Sequence, residues 1–277
     1  MAITAQDVNK LRQMTGAGMM DCKKALTEAN GDFDAAIDIL RKKGQKISAA
    51  RSDRQTSEGS VFVKTTDDGS EAILVALGCE TDFVAKNEDF QKMGEAVVAQ
   101  AAANKPATTA ELLELNVDGR SISEHLTDLM GKIGEKIEVV AYEVLKGDQV
   151  VPYIHSNGKL GVLVALAGVN GTDVQEAGKD VAMQIAAMNP VAVDKDQVDA
   201  SVVEREIEIG KEQARAEGKP EAMLEKIALG KLNKFYKDNT LLNQQFVKDN
   251  SKTIAQYLNE THKGLTVSAF KRVNIGG

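Results

Sequence analysis

The chain has no tryptophan, and only 4% of its 277 residues are aromatic. Its core must therefore be assembled mainly from Ala, Val, Ile and Leu. Two cysteines, Cys22 and Cys79, are too few for a disulfide framework, and neither stands in a CxxC pattern. Both read as small buried residues of a protein kept in a reducing compartment. The three histidines, His125, His155 and His262, are scattered without metal-ligand spacing. A phosphate-binding loop is also missing. Gly171 and Gly178-Lys179 stand too far apart for the motif, and Asp180 occupies the place of the required Ser or Thr. No apolar run approaches the ~18 residues of a membrane span. The opening Met1-Ala2-Ile3-Thr4-Ala5-Gln6-Asp7 has neither the basic nor the apolar region of a secretory signal. With 41 acidic against 34 basic residues, the net charge of −7 argues against an electrostatic nucleic-acid binder. Together these absences describe a soluble, cytoplasmic protein without direct nucleic-acid or membrane contact.

What is present is globular: 43% apolar and 27% charged residues, in a chain long enough for two or more compact units. Residues 1–44 predict three short helices. Thr4 is placed to cap the first, with Asp7 three residues on, and Val8, Leu11 and Met14 make its inner face. Gly16 and Gly18 break it. Cys22, Ala25, Leu26 and Ala29 face inward on the second helix, and Ala36, Ile37 and Leu40 on the third, which Gly44 is expected to stop. So thin a core suits a docking module better than a catalytic one. Residues 45–59 are polar, with Lys46, Arg51, Asp53, Arg54 and Glu58, and read as a solvated linker, helical in part at 47–51.

Residues 61–103 and 150–188 form two copies of one unit. Asp68-Gly69 and Asn157-Gly158 are hairpin turns. Each is followed, at a constant offset, by a matching apolar strand: Leu74-Val75-Ala76-Leu77 and Leu163-Val164-Ala165-Leu166. Each copy ends in an Ala-rich helix, with Gly94 matching Gly178 and Gln100 matching Gln184. A sheet with helices on one face buries such a unit. The first copy carries five extra residues between its turn glycine and its helix glycine. They fall in or near the stretch with Asp82, Phe83 and Lys86, so either a projecting loop has been added there or loop length has drifted. Helices are predicted over 108–115 and 121–129, and a strand over 137–145. Residues 199–236 read as an antiparallel helical hairpin turning at Gly218-Lys219-Pro220. Its stripe of Leu224, Ile227, Ala228, Leu232 and Phe235 needs cover from the protein's own body or from a second chain. A helix after Ser251 and a strand over 265–273 close the chain.

Thr81-Asp82-Phe83-Val84-Ala85-Lys86-Asn87 resembles the signature loop of the bacterial elongation factor Ts family. A second stretch agrees: Leu11-Arg12, then Thr15-Gly16-Ala17-Gly18-Met19-Met20-Asp21-Cys22-Lys23-Lys24-Ala25-Leu26. The likeness continues more weakly through Tyr153, His155, residues 199–236 and Phe246 to Val273. The resemblance implies an α+β fold. Its parts are an N-terminal three-helix module like ubiquitin-associated domains (1–44), a linker (45–59), core subdomains (60–145 and 146–198) with antiparallel sheets, an inserted helical hairpin (199–236) and a C-terminal segment returning to the core (237–277). It implies an exchange factor that binds the GDP form of elongation factor Tu and speeds GDP release, and no cofactor. The loop Thr81, Asp82, Phe83 and Val84 would act near the partner's Mg²⁺ site. Arg12, Met19, Met20 and His155 would contact the partner elsewhere. Two other classes stand beside this reading. An enzyme using Asp82 or His155 lacks a convergent constellation. A scaffold, homodimer or 2:2 assembly is supported by the hairpin.

Overall fold

The computed structural model describes residues 3–277; Met1 and Ala2, the head of the expected N-terminal module, lie outside the described residues. The chain opens with α1 (Ala5–Thr15), α2 (Met19–Glu28) and α3 (Phe33–Ala50). Thr4 caps α1 as predicted: the Asp7 N–H donates to the Thr4 hydroxyl at 3.2 Å and the Thr4 N–H donates to the Asp7 carboxylate at 3.0 Å. Val8, Leu11, Cys22, Ala25, Leu26 and Ala36 form the small core of this module. Met14, expected on the inner face, is 56% exposed. The stripe runs from Val8 and Leu11 to Thr15, whose hydroxyl donates back to the Leu11 carbonyl at 2.8 Å.

Gly44 does not stop the third helix, which continues to Ala50 and takes in much of the expected linker. This glycine is buried because another helix crosses it. A Cβ on Gly131 of α7 (Ile122–Ile133) would stand 2.8 Å from the Gly44 Cα, so this crossing needs a glycine at 131, and a Cβ on Gly44 would crowd the Thr127 carbonyl at 3.2 Å. The residue answers to a packing demand that local reading takes for a terminus.

The first half of the core is β1 (Glu58–Thr65), β2 (Glu71–Cys79), the one-turn helix α4 (Asp82–Ala85), α5 (Glu88–Asn104), α6 (Thr109–Glu114), the short β3 (Asn116–Val117) and β4 (Arg120–Ser121), α7, and β5 (Ile137–Lys146). The second half is β6 (Gln149–Ile154), β7 (Leu160–Ala167) and α8 (Gln175–Met188), then the hairpin helices α9 (Ala200–Ala216) and α10 (Glu221–Asn239). It closes with β8 (Gln245–Phe246), β9 (Asp249–Thr253), α11 (Ile254–Thr261) and β10 (Thr266–Asn274). The α+β class is as expected. Two antiparallel three-stranded sheets form, β1-β2-β5 and β6-β7-β10, each with its second strand in the middle.

The middle strands are buried on both faces. Ile73, Val75 and Leu77 of β2 meet α5 and α7, while Ala72, Leu74 and Ala76 meet Leu163 and Ala165 of the other sheet. Val162, Val164 and Leu166 of β7 pack against α8 and α11. The result is four layers, helix–sheet–sheet–helix, which explains why both strands read as unbroken apolar runs. The halves are tied reciprocally. The Val61 N–H donates to the Gly158 carbonyl at 2.8 Å, and the Val150 N–H donates to the Gly69 carbonyl at 2.7 Å. Val61 pairs with Ala76 and Val150 with Ala165, so the two bonds join equivalent positions of the two copies. Gly94 lies over Phe62 and Gly178 over Val151, again in matching register.

The repeat extends further than sequence reading found. In each half a two-stranded ladder, β3–β4 or β8–β9, runs into a capping box, Ser121 with Glu124 or Thr253 with Gln256. A helix and the sheet's third strand follow. Ile122 and Leu126 are buried in the first, Ile254 and Leu258 in the second. The helical hairpin is thus an insertion into the second copy, and its two ends meet where the Val191 N–H donates to the Asn239 carbonyl at 2.8 Å. Within it, Ala214, Leu224, Ala228 and Leu232 are buried, whereas Ile209, Met223 and Leu229 remain exposed.

The five extra residues are not one inserted loop. The strand-to-helix connection holds residues 80–87 in the first copy and 168–174 in the second, a difference of one residue. The strand gains one more, and the rest lengthen the start of α5 by almost a turn.

Candidate functional site

The chain leaves β2 at Cys79, whose buried thiol donates to the Thr81 carbonyl at 3.2 Å. Burial, then the nearby Glu135 and Glu58 carboxylates, push this thiol up to about 12, which leaves it without nucleophilic thiolate at neutral pH. Glu80 follows. Its Oε1 accepts from Arg51 Nη1 at 2.7 Å and from the Lys136 N–H at 2.7 Å, and its Oε2 accepts from Arg54 Nη1 at 2.8 Å. Burial alone would raise this carboxyl, but the Lys136 N–H and the two guanidiniums hold it at about 2.

Thr81 is held by a second carboxylate. Glu135 accepts from the Thr81 N–H at 3.0 Å and from its hydroxyl at 2.8 Å. The same threonine side chain caps α4, accepting from the Val84 N–H at 3.4 Å. Val84 and Ala85 turn into the core. Gln91 Nε2 donates to the Ala85 carbonyl at 2.6 Å, and Asn87 caps α5 by accepting from the Asp89 N–H at 2.9 Å. The turn is thus fixed from below at four points.

Two of the four expected loop residues are inward and two outward. Thr81 and Val84 build the turn, while Asp82 and Phe83 project from it. Phe83 is 82% exposed, the highest value among the exposed large hydrophobic residues of the described chain. Asp82 is paired with Lys86 at 2.7 Å on the surface, and this hydrogen bond holds its carboxyl below the ordinary range. The anchored turn thus presents an exposed aromatic ring beside an ion-paired carboxylate.

The other expected contacts are also exposed. Arg12, Met19 and Met20 lie on the outer side of the N-terminal module, Met19 and Met20 being 55% and 63% exposed. His155 follows the end of β6, with its Nδ1 2.9 Å from the Tyr153 hydroxyl. The structure brings His155 and Phe83 to the same end of the layered core. The turn after His155 carries Lys159, whose ammonium pairs with Glu58 at 2.9 Å, and Glu58 sits opposite Cys79 at the root of the loop. Sequence reasoning did not find the anchors Glu80, Glu135, Arg51 and Arg54. One signal was available: an acid directly after a buried strand demands a cation. Among the described residues no group of His, Cys, Asp and Glu is arranged to hold a metal ion, and no helix is long and apolar enough to cross a membrane.

The comparisons agree with one another. The family model for elongation factor TS matches residues 80–277. Elongation factor Ts of Cytophaga hutchinsonii is 68% identical over 274 residues, covering 99% of both chains. That of Amoebophilus asiaticus is 60% identical over 276 residues and covers both chains fully, and that of Porphyromonas gingivalis is 50% identical over 276 residues, with 99% of each covered. With the fixed, outward-facing Asp82-Phe83 turn on a duplicated core, these matches lead to one assignment: the chain belongs to the elongation factor Ts family.

Proposed function

We propose that this chain is the guanine-nucleotide exchange factor for elongation factor Tu, and that it releases GDP by disturbing the partner's Mg²⁺ site with the turn at Thr81–Val84. The observation that carries this reading is an exposed Phe83 on a turn that Glu135, Gln91 and the buried Val84 and Ala85 hold in place. An apolar ring kept in water at a fixed place lowers its free energy by entering a partner's apolar crevice. Mg²⁺ bridges and neutralises the nucleotide's phosphate oxygens, so displacing its ligands loosens the nucleotide. Phe83 supplies the wedge. Asp82, already charged, engages a donor or the metal's shell once Lys86 yields it. Thr81 and Val84 give the wedge its stiffness.

Arg12, Met19 and Met20 grip the partner separately, the thioethers adapting to its surface, and His155 adds a contact at the same end as Phe83. Such a factor works by binding, without covalent chemistry or a cofactor of its own. Linkage makes the effect mutual: a factor that weakens GDP binding is itself bound more weakly by the GDP form. Exposed Ile209, Met223 and Leu229 supply a surface for a homodimer or 2:2 complex, which size-exclusion chromatography with light scattering tests directly. For the wedge, the test is Phe83→Ala in stimulated release of a fluorescent GDP from elongation factor Tu. The expected loss is roughly tenfold or more, that of an aromatic hot spot. An unchanged rate from a folded variant removes Phe83 from the mechanism.

A further inference from the structure

The segment that composition marks as a solvated linker is tied to the root of the loop. Arg51 caps the C-terminal end of α3, and Arg54 lies one turn beyond. Both guanidiniums close on the Glu80 carboxylate, whose side chain is 15% exposed, and the Lys136 N–H completes the set. Glu80 immediately precedes Thr81, the cap of the Asp82-Phe83 turn. At its other end α3 belongs to the N-terminal module, and midway it is locked onto α7 through the Gly44–Gly131 crossing. One continuous helix therefore runs from the module carrying Arg12, Met19 and Met20 to the carboxylate beneath Phe83.

We infer that Glu80, clamped by Arg51 and Arg54, is a positioning residue that sets the Phe83 turn in register with the N-terminal module, so that a partner meets both as one rigid surface. This rests on the exchange-factor reading for its kinetic consequence, though not for its structural one. A carboxylate this far out of water is costly unless paired, and a surface pair would be worth little. Here three donors converge on a residue with no catalytic neighbour, at the base of an exposed wedge. Loss of the two ion pairs leaves the turn held by Glu135, by Val84 and Ala85 in the core and by Gln91, so the fold persists while the strand end at Glu80 gains freedom to shift. Because a wedge misplaced by about 1 Å loses most of its leverage, the clamp acts on the release step more than on docking.

The test uses Glu80→Gln, which keeps size and the Lys136 hydrogen bond and removes both ion pairs. GDP release is measured against factor concentration. The expected result is a maximal rate lowered about tenfold with a half-saturating concentration little changed. As the chain has no tryptophan, Phe83→Trp places a single indole reporter on the turn. Its time-resolved anisotropy should fall faster when Glu80→Gln or Arg54→Ala is added. Arg54 is more exposed than Arg51, so Arg54→Ala keeps the test open should Glu80→Gln fail to fold. Unchanged anisotropy in the Arg54→Ala variant, or a wild-type maximal rate in folded Glu80→Gln, overturns the clamp. The Phe83→Ala variant separates the two claims: if it slows release and Glu80→Gln does not, the exchange reading stands and the clamp falls. If Phe83→Ala is itself without effect, the wedge falls and the release rate no longer reports on the clamp, which then stands or falls on the anisotropy alone.

Discussion

The two strand-to-helix connections of the core make a natural experiment. Residues 80–87 and 168–174 join equivalent strands to equivalent helices and differ in length by one. Yet the apolar residues of the second are covered by its own chain. Gly168 lies against the Gly264 carbonyl, Thr172 reaches His262 Nδ1 at 3.3 Å, and Val169 and Val174 are buried. The first presents Phe83 to solvent. Length therefore does not distinguish a connection that exposes its aromatic residue from one that buries its apolar side chains. The difference lies in which way the apolar residues point and in what holds the rest still. In the first copy two carboxylates, Glu80 and Glu135, do the holding; in the second one carboxylate, Asp148, accepts from the Gly168 N–H at 2.9 Å, and the turn around Gly264 does the rest.

The widest gap between the two connections should appear in exchange. Phe83→Ala is expected to slow stimulated GDP release roughly tenfold or more. Asn170→Ala, at the exposed apex of the second connection, should leave it unchanged. A slowing by Asn170→Ala would break the contrast. Where the two copies are alike, substitutions should act alike. A Cβ on Gly94 would stand 2.1 Å from the Phe62 ring, and one on Gly178 would stand 2.4 Å from Val151. Gly94→Ala and Gly178→Ala should each cost about 1–3 kcal/mol in denaturant unfolding, the usual penalty of overpacking. A cost at one position only would show that the halves are less equivalent than their registers.

Acid should loosen the first connection before the second. The Glu80 carboxyl lies below its ordinary value, so its clamp is complete above about pH 4.5 and is lost as pH falls towards about 2. Amide exchange, corrected for the intrinsic rate, should rise more over residues 81–87 across that window than over 168–174, where Asp148 is the one carboxylate that accepts an N–H of the connection. The smallest effect belongs to the exposed pair of Asp82 and Lys86. Lys86→Ala should leave the melting temperature unchanged, as exposed pairs usually do, while altering how readily Asp82 meets a partner in the exchange assay.

Much of this architecture was readable in advance, for definite reasons. Asp68-Gly69 and Asn157-Gly158 mark their turns because the positive φ of Gly69 and Gly158 favours glycine. The matching Leu-Val-Ala-Leu strands stand out because both faces of each are buried. The exposure of Asp82 and Phe83 agrees with the family resemblance, whereas the arithmetic of five extra residues placed too much of the difference in the loop. What escaped was non-local. Arg51 and Arg54 looked solvated because their partner lies 29 and 26 residues on. Gly44 looked like a helix end because its true neighbour, Gly131, belongs to another helix. The second half of the repeat was visible in Ser121-Ile122 with Leu126 against Thr253-Ile254 with Leu258, but the inserted hairpin pushes the second set far from its expected place.

That insertion has feet stitched together. The chain departs at Ala192 and returns at Thr240 through a parallel bridge, with the Leu241 N–H donating to the Ala192 carbonyl at 3.0 Å. A shaft mounted on a closed base can be lengthened, trimmed or re-decorated without prising apart the platform beneath it. Variation in reach and variation in grip can then be explored independently, one in the shaft and the other in the sandwich.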